Sequence, residues 1–160
     1  MELFLNLPLW TALTAICLTQ SIKVPIYYLA NRSWDLRLLF STGGMPSSHS
    51  AAVTSLTTAI GLEYGLDSGL FALSCIFSII VMFDAAGVRR HAGEHAALLN
   101  KLVEEFNQLI QEMKNWTIHP EQEKRKKLKE LLGHQPSEVL VGGLFGIGIG
   151  LLLHYLAGQM

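Results

Sequence analysis

The chain has 160 residues, enough for one domain, with 50% hydrophobic and only 16% charged residues and a mean hydropathy of +0.34. That balance excludes a disordered chain and an ordinary soluble domain, and it fits a small protein that crosses a membrane several times. Lys and Arg total 12 against 13 Asp and Glu, a net charge of −1 that by itself says nothing about nucleic acid, whereas the distribution of charge along the chain is informative; no nucleic-acid partner is expected.

Four apolar segments follow in chain order, each long enough to span or nearly span a bilayer. The first runs from about Leu3 to Tyr28 and carries Lys23 and Pro25 near its end. Glu2, the missing basic n-region and the missing small-residue cleavage site make it a membrane segment rather than a cleaved signal peptide. The second, about Ser47 to Tyr64, is short and rich in Ser and Thr, so protein rather than lipid should cover most of it. Segment three is Ser68 to Val88 and segment four is Ser137 to Leu156. Cys17 and Cys75 lie inside apolar runs and are expected to be buried, inert thiols. The expected fold is an all-α polytopic membrane helix bundle, one domain over residues 1–160, with about four transmembrane or partly spanning helices. A cytoplasmic helical insertion over 91–133 completes it.

Threading these segments through a membrane places every basic residue on one side. Lys23, Arg32, Arg37, Arg89, Arg90, Lys101, Lys114, Lys124, Arg125, Lys126, Lys127 and Lys129 account for all 12. The positive-inside rule makes that side cytoplasmic and puts both termini outside.

The same face gathers the chemistry. Met45-Pro46-Ser47-Ser48-His49-Ser50 follows Gly43-Gly44 and opens an apolar helical run. A helix N-terminus with free N–H groups attracts anions, and a histidine there adds proton chemistry. His134-Gln135-Pro136-Ser137-Glu138 opens segment four, and a separation of four residues lets the carboxylate reach the imidazole across the first turn. A carboxylate on one imidazole nitrogen fixes the tautomer and leaves the other as a nucleophile. Arg89, Arg90 and Lys23 supply charge for phosphate oxygens. Two histidines, one or two arginines, a lysine and a helix start are expected to make a phosphoryl-transfer site that needs no metal or cofactor.

Residues 91–133 have patterns of their own. Ala92, Ala96, Leu99, Val103, Phe106, Ile110 and Met113 alternate at spacings of four and three, an apolar stripe on a helix from about His91 to Asn115. It would pack against another helix of the chain or a second subunit, a possible homodimer. A second helix, about Pro120 to Leu132, would carry the run Lys124 to Lys129, either as a solvated face or against anionic headgroups. His91, Glu94 and His95 match the H-x-x-E-H spacing of inverted zinc proteases, but no third ligand is evident. Gly142, Gly146 and Gly150 recur every four residues, which suits close helix packing within the chain or across a dimer.

Pro46-Ser47-Ser48-His49, with Lys23, the arginines and His134, resembles the type-2 phosphatidic acid phosphatase and vanadium-dependent haloperoxidase superfamily, in its small divergent bacterial and plant branch. Ser48 stands where the superfamily has Gly, Glu138 where it has Asp, no Arg-Pro pair follows Lys23, and a long insertion splits the third motif. The resemblance implies that His134 is the nucleophile, forming a phosphohistidine, and that His49 protonates the leaving group. Lys23, Ser47, Ser48 and Arg89 or Arg90 would hold the phosphate oxygens. It implies a phosphatase of the bacterial cell membrane acting on a phospholipid phosphate or isoprenoid phosphate or diphosphate. The alternative is a lipid-phosphate-binding or scaffold protein without turnover.

Overall fold

The computed structural model describes residues 6–41, 43–114 and 133–159. They form α1 (Leu7–Asn31), α2 (Ser48–Tyr64), α3 (Gly69–Ala86), α4 (Val88–Lys114) and α5 (Pro136–Ala157), with a 3-10 turn at Leu36–Phe40. No strand occurs among the described residues. The chain is thus the all-α helix bundle its sequence predicts, and the four apolar segments coincide with α1, α2, α3 and α5 to within a turn.

Each helix start has a local cause. Asn6 accepts from the Leu9 N–H at 3.0 Å, Ser47 from Ser50 at 3.3 Å and Ser68 from Phe71 at 3.2 Å. At α5 the Glu138 carboxylate reaches back to the Gln135 N–H at 3.1 Å, and Pro136 opens the helix, where its missing N–H costs nothing. These side chains satisfy N–H groups that have no partner inside their own helix.

Leu7–Asn31, the helical run beginning at Gly69, and Pro136–Ala157 are long and apolar enough to cross a membrane. With 17 residues, α2 measures about 25 Å, less than the roughly 30 Å of bilayer hydrocarbon. It sits among α1, α3 and α5, against all of which it packs. Its Ser- and Thr-rich sequence is that of a helix sheathed by other helices.

Burial runs opposite to a soluble protein. Thr11, Ala15, Thr19 and Lys23 form a buried stripe on α1, Ser50, Ala51, Ser55 and Ala59 are buried on α2, and Ala15 packs in one cluster with Ala51 of α2 and Ile149 of α5. Leu73, Phe77, Ile80 and Phe83 of α3 and Leu140 and Leu144 of α5 point outward. Lipid tails are as apolar as leucine, so membrane helices associate through close packing of small residues and through hydrogen bonds. A Cβ on Gly142 would meet the Ser47 carbonyl oxygen, one on Gly146 the Ala51 carbonyl oxygen, and one on Gly150 the Thr58 Cβ. The glycine stripe therefore seats α5 on α2 within a single chain.

Hydroxyls join the helices. Thr57 and Ser78 lie 2.8 Å apart, and Ser78 donates to the Val53 carbonyl at 3.0 Å. The Thr54 hydroxyl lies 2.8 Å from the Ser50 carbonyl oxygen on its own helix and 2.9 Å from that of Gly143 on α5. Replacing Thr54 by Val keeps the shape and removes the hydroxyl. The expected loss is about 0.6 kcal/mol, the usual worth of an interhelical hydrogen bond in a membrane, measurable by SDS titration in mixed micelles.

Two expectations need correction or completion. Cys17 is exposed and Cys75 half-buried, so neither is an interior thiol. An apolar run in a membrane helix faces lipid around much of its circumference, and apolar neighbours do not imply a protein interior. The helix expected from His91 starts earlier, at Val88, which puts Arg89 and Arg90 in its first turn. Of its stripe Ala96 is buried, while Leu99, Val103 and Phe106 are exposed among the described residues. The expected second helix, with its basic run Lys124 to Lys129, lies outside the described residues.

Candidate functional site

Four parts of the chain converge at one end of the bundle. The Lys23 ammonium on α1 donates to the Gly43 carbonyl at 3.1 Å, in the loop that leads to the α2 start. The Ser47 N–H donates to the Glu138 carbonyl at 3.1 Å, joining the α2 start to the first turn of α5. The His134 N–H donates to the Ala85 carbonyl at 3.0 Å, joining the approach to α5 to the end of α3. Gly133 makes that last junction possible. Its φ is +85°, and any Cβ there would strike the Arg90 backbone nitrogen. The chain thus returns from the insertion pressed against the first turn of α4.

The two histidines face each other edge to face, with ring centroids 5.8 Å apart and planes at 66°. The His134 side chain is 0% exposed, and its Nδ1 lies 3.0 Å from Glu138 Oε2. A carboxylate only accepts, so Nδ1 carries a proton, and in the neutral ring Nε2 then keeps its lone pair. That Nε2 is buried and without a hydrogen-bond partner among the described residues. Leaving a buried polar atom unpaired costs about 1–3 kcal/mol, and such an atom in a native fold asks for an explanation.

His49 is held from the other side. Its Nε2 lies 3.1 Å from Arg89 Nη1, and an arginine can only donate, so in this arrangement Nε2 is the acceptor. Arg89 is in turn fixed through Nε to Asp84 Oδ2 at 2.6 Å. Arg90 points elsewhere, its Nε 2.9 Å from Glu94 Oε1. Of the two arginines it is therefore Arg89 that the fold brings to the histidines. Arg90, expected to bind phosphate, is an exposed partner of Glu94.

Lys23 is only 2% exposed, at the end of the α1 stripe. Ser47 is buried as the α2 cap, its Oγ accepting from the Ser50 N–H and the Ser50 hydroxyl. Ser48, also buried, is the first residue of α2, where backbone N–H groups lack helical acceptors. Lys23, Ser47, Ser48, His49, Arg89, His134 and Glu138 are therefore gathered, and Arg90 is not. Asp84 is the residue that sequence reasoning missed. A carboxylate at the end of an otherwise apolar segment, Phe83-Asp84-Ala85, is a signal that could have found it.

The zinc-protease spacing takes a different form. His91 Nδ1 lies 3.1 Å from Glu94 Oε2, and the hydrogen bonds from Arg90 and His91 hold the Glu94 carboxyl below its ordinary pKa. Among the described residues no three His, Cys, Asp or Glu side chains lie where they could share a metal ion.

Chemically, a helix start, a guanidinium and a buried ammonium can hold one tetrahedral anion, with an unpaired imidazole nitrogen beside it. The family profile described as "Divergent PAP2 family" matches residues 4–149, which include every one of these side chains. The chain belongs to that family. It is 59% identical over 155 residues to the "Uncharacterized membrane protein YuiD" of Bacillus subtilis (strain 168), a match covering 97% of this chain and 98% of the relative. No solved structure matches the chain. The family that Pro46-Ser47-Ser48-His49 resembles is the one to which the chain belongs, and the chain is an integral membrane protein of that family.

Proposed function

We propose that this protein is a membrane phosphatase that hydrolyses lipid phosphates or isoprenoid diphosphates from the cytoplasmic leaflet through a phosphohistidine. The observation that carries the reading is the buried, unpartnered Nε2 of His134, with Nδ1 held by Glu138. An oriented imidazole with a free lone pair is what covalent phosphoryl transfer requires.

In this reading Arg89, Lys23 and the α2 start hold the phosphoryl oxygens. His134 Nε2 attacks phosphorus, forming an N–P bond as the P–O bond to the leaving group breaks. Glu138 stabilises the positive charge that develops on the ring. Arg89 keeps its Nε on Asp84, and its terminal N–H groups pass from His49 to the phosphate oxygens; His49 Nε2, freed as an acceptor, takes a proton from water and gives it to the departing oxygen. Water then attacks phosphorus, His49 takes a proton from it, and the N–P bond breaks to release phosphate and restore both histidines. The charge on the transferring oxygens is balanced by the guanidinium and the ammonium. The positive-inside rule supports the cytoplasmic side, since the expected threading puts Lys23, Arg32, Arg37, Arg89 and Arg90 on the same side as the site.

The test uses purified full-length protein in detergent with a chelator present. Phosphate release from phosphatidate, phosphatidylglycerol phosphate and polyprenyl diphosphates is expected, with inhibition by orthovanadate. Orthovanadate binding without turnover on any of these substrates would overturn the enzyme reading in favour of a lipid-phosphate binder.

A further inference from the structure

Among the described residues, Asp84 is a charged side chain beside the site to which the phosphatase reading gives no task. Its carboxylate lies at the end of α3, one residue before the Ala85 carbonyl that receives the His134 N–H. It takes the Arg89 Nε at 2.6 Å, while Nη1 of the same guanidinium lies 3.1 Å from His49 Nε2. A guanidinium is planar, with its five N–H donors in a fixed fork, so fixing Nε fixes the direction of both terminal nitrogens. The side chains of Arg89 and Asp84 are 44% and 36% exposed, so packing does not hold the guanidinium in place.

We propose that Asp84 is a positioning residue, whose carboxylate holds Arg89 by Nε so that the terminal nitrogens face the gap between His49 and His134. This rests on the reading of that gap as a phosphate site. The two catalytic imidazoles then have parallel supports. Glu138 orients His134 directly, and Asp84 acts on His49 through Arg89. Asp84 makes no hydrogen bond to either histidine, so its positioning effect passes through the arginine.

That requirement is testable without turnover. The probe is orthovanadate, titrated calorimetrically into the full chain in detergent. Asp84→Ala is expected to weaken binding about ten- to a hundredfold, the range for a lost hydrogen bond to a charged group. Asp84→Asn, which keeps an acceptor oxygen for Nε–H, should recover part of that loss. Arg89→Ala should lose at least as much as Asp84→Ala. The decisive variant is the double one: adding Asp84→Ala to Arg89→Ala should change binding by less than about twofold, because a group acting only through the arginine has nothing left to act on. A merely structural role at the α3 end would instead make the two losses multiply. The ¹⁵N resonances of the His49 ring supply a second readout: Asp84→Ala should move them as Arg89→Ala does, while those of His134 stay in place.

Wild-type affinity in Asp84→Ala, multiplying losses in the double variant, or no orthovanadate binding by the wild type would each overturn the proposal. Binding with the expected non-additivity but no phosphate release from any substrate would support Asp84 as the positioning residue of a binding site. In that case only the hydrolase reading fails.

Discussion

His134→Ala is expected to abolish phosphate release, with a loss of about 10⁴-fold or more, because no other group can take the place of an attacking nitrogen. The geometry allows no neighbouring substitute. His49 Nε2 is engaged by Arg89, and with Nε2 accepting, its Nδ1, though also buried and unpartnered, carries the ring proton and has no lone pair to attack with. His49→Ala should behave differently. Its proposed task is to protonate the leaving oxygen, worth about 10²–10⁴-fold when the leaving group is a poor one. An aryl phosphate with an acidic phenol leaves without help, so His49→Ala should approach wild-type rates on that substrate while His134→Ala stays inactive. The measurement is an initial rate on an alkyl and an aryl phosphate for each variant. Mass spectrometry of the acid-labile phosphoprotein locates the intermediate. Activity retained by His134→Ala, or a phosphate trapped on His49, would reverse the two roles.

The second large effect is structural. Gly146→Leu is expected to unseat α5 from α2 and to remove the site with it. The new side chain would meet the Ala51 carbonyl oxygen and Thr54 Oγ1, and the first of these is backbone that cannot rotate away. Overpacking a tight contact costs about 1–3 kcal/mol, and here the forced separation would also break the Thr54 bond to the Gly143 carbonyl, 2.9 Å long. The consequence reaches the site because the Ser47 N–H and the Glu138 carbonyl, 3.1 Å apart, belong to the same interface. Gly148 is the control. Nothing lies within 4 Å of a Cβ built there, so Gly148→Leu should leave the melting temperature nearly unchanged. Thermal unfolding in detergent, with orthovanadate binding measured on the same samples, reads both variants. Equal stability of the two leucine variants would show that the glycine stripe does not carry the helix packing.

Much of this was legible in the chain because the signals are short-range or compositional. Long apolar runs must span lipid or be buried, and three of the four runs make helices long enough to cross a membrane. The short Ser- and Thr-rich run from Ser47 to Tyr64 could not face lipid comfortably, and it became the helix that the others surround. Pro46-Ser47-Ser48 announced a helix start, and Ser47 is its cap. His134 and Glu138 stand four residues apart, a spacing at which one side chain can reach another across a helix start, and their atoms meet at 3.0 Å.

Partners between elements were not legible in this way. Arg89 and Arg90 are adjacent, and neighbours on a helix point about 100° apart, so one of them had to face away. Which one was decided by the carboxylates waiting on each side, Asp84 from the end of α3 and Glu94 one turn along α4. The same limit explains Cys17 and Cys75, whose apolar neighbours look alike whether a helix face meets lipid or protein. The sequence by itself determined the helices, the helix start that opens α2 and the His134–Glu138 pair, because each depends on residues within a turn of one another or on composition alone. Only the tertiary structure decided that the glycine stripe seats α5 on α2, that Arg89 rather than Arg90 meets His49, and that Asp84 holds it. Those outcomes depend on distances between segments far apart in the chain, which helix packing sets and local spacing does not encode.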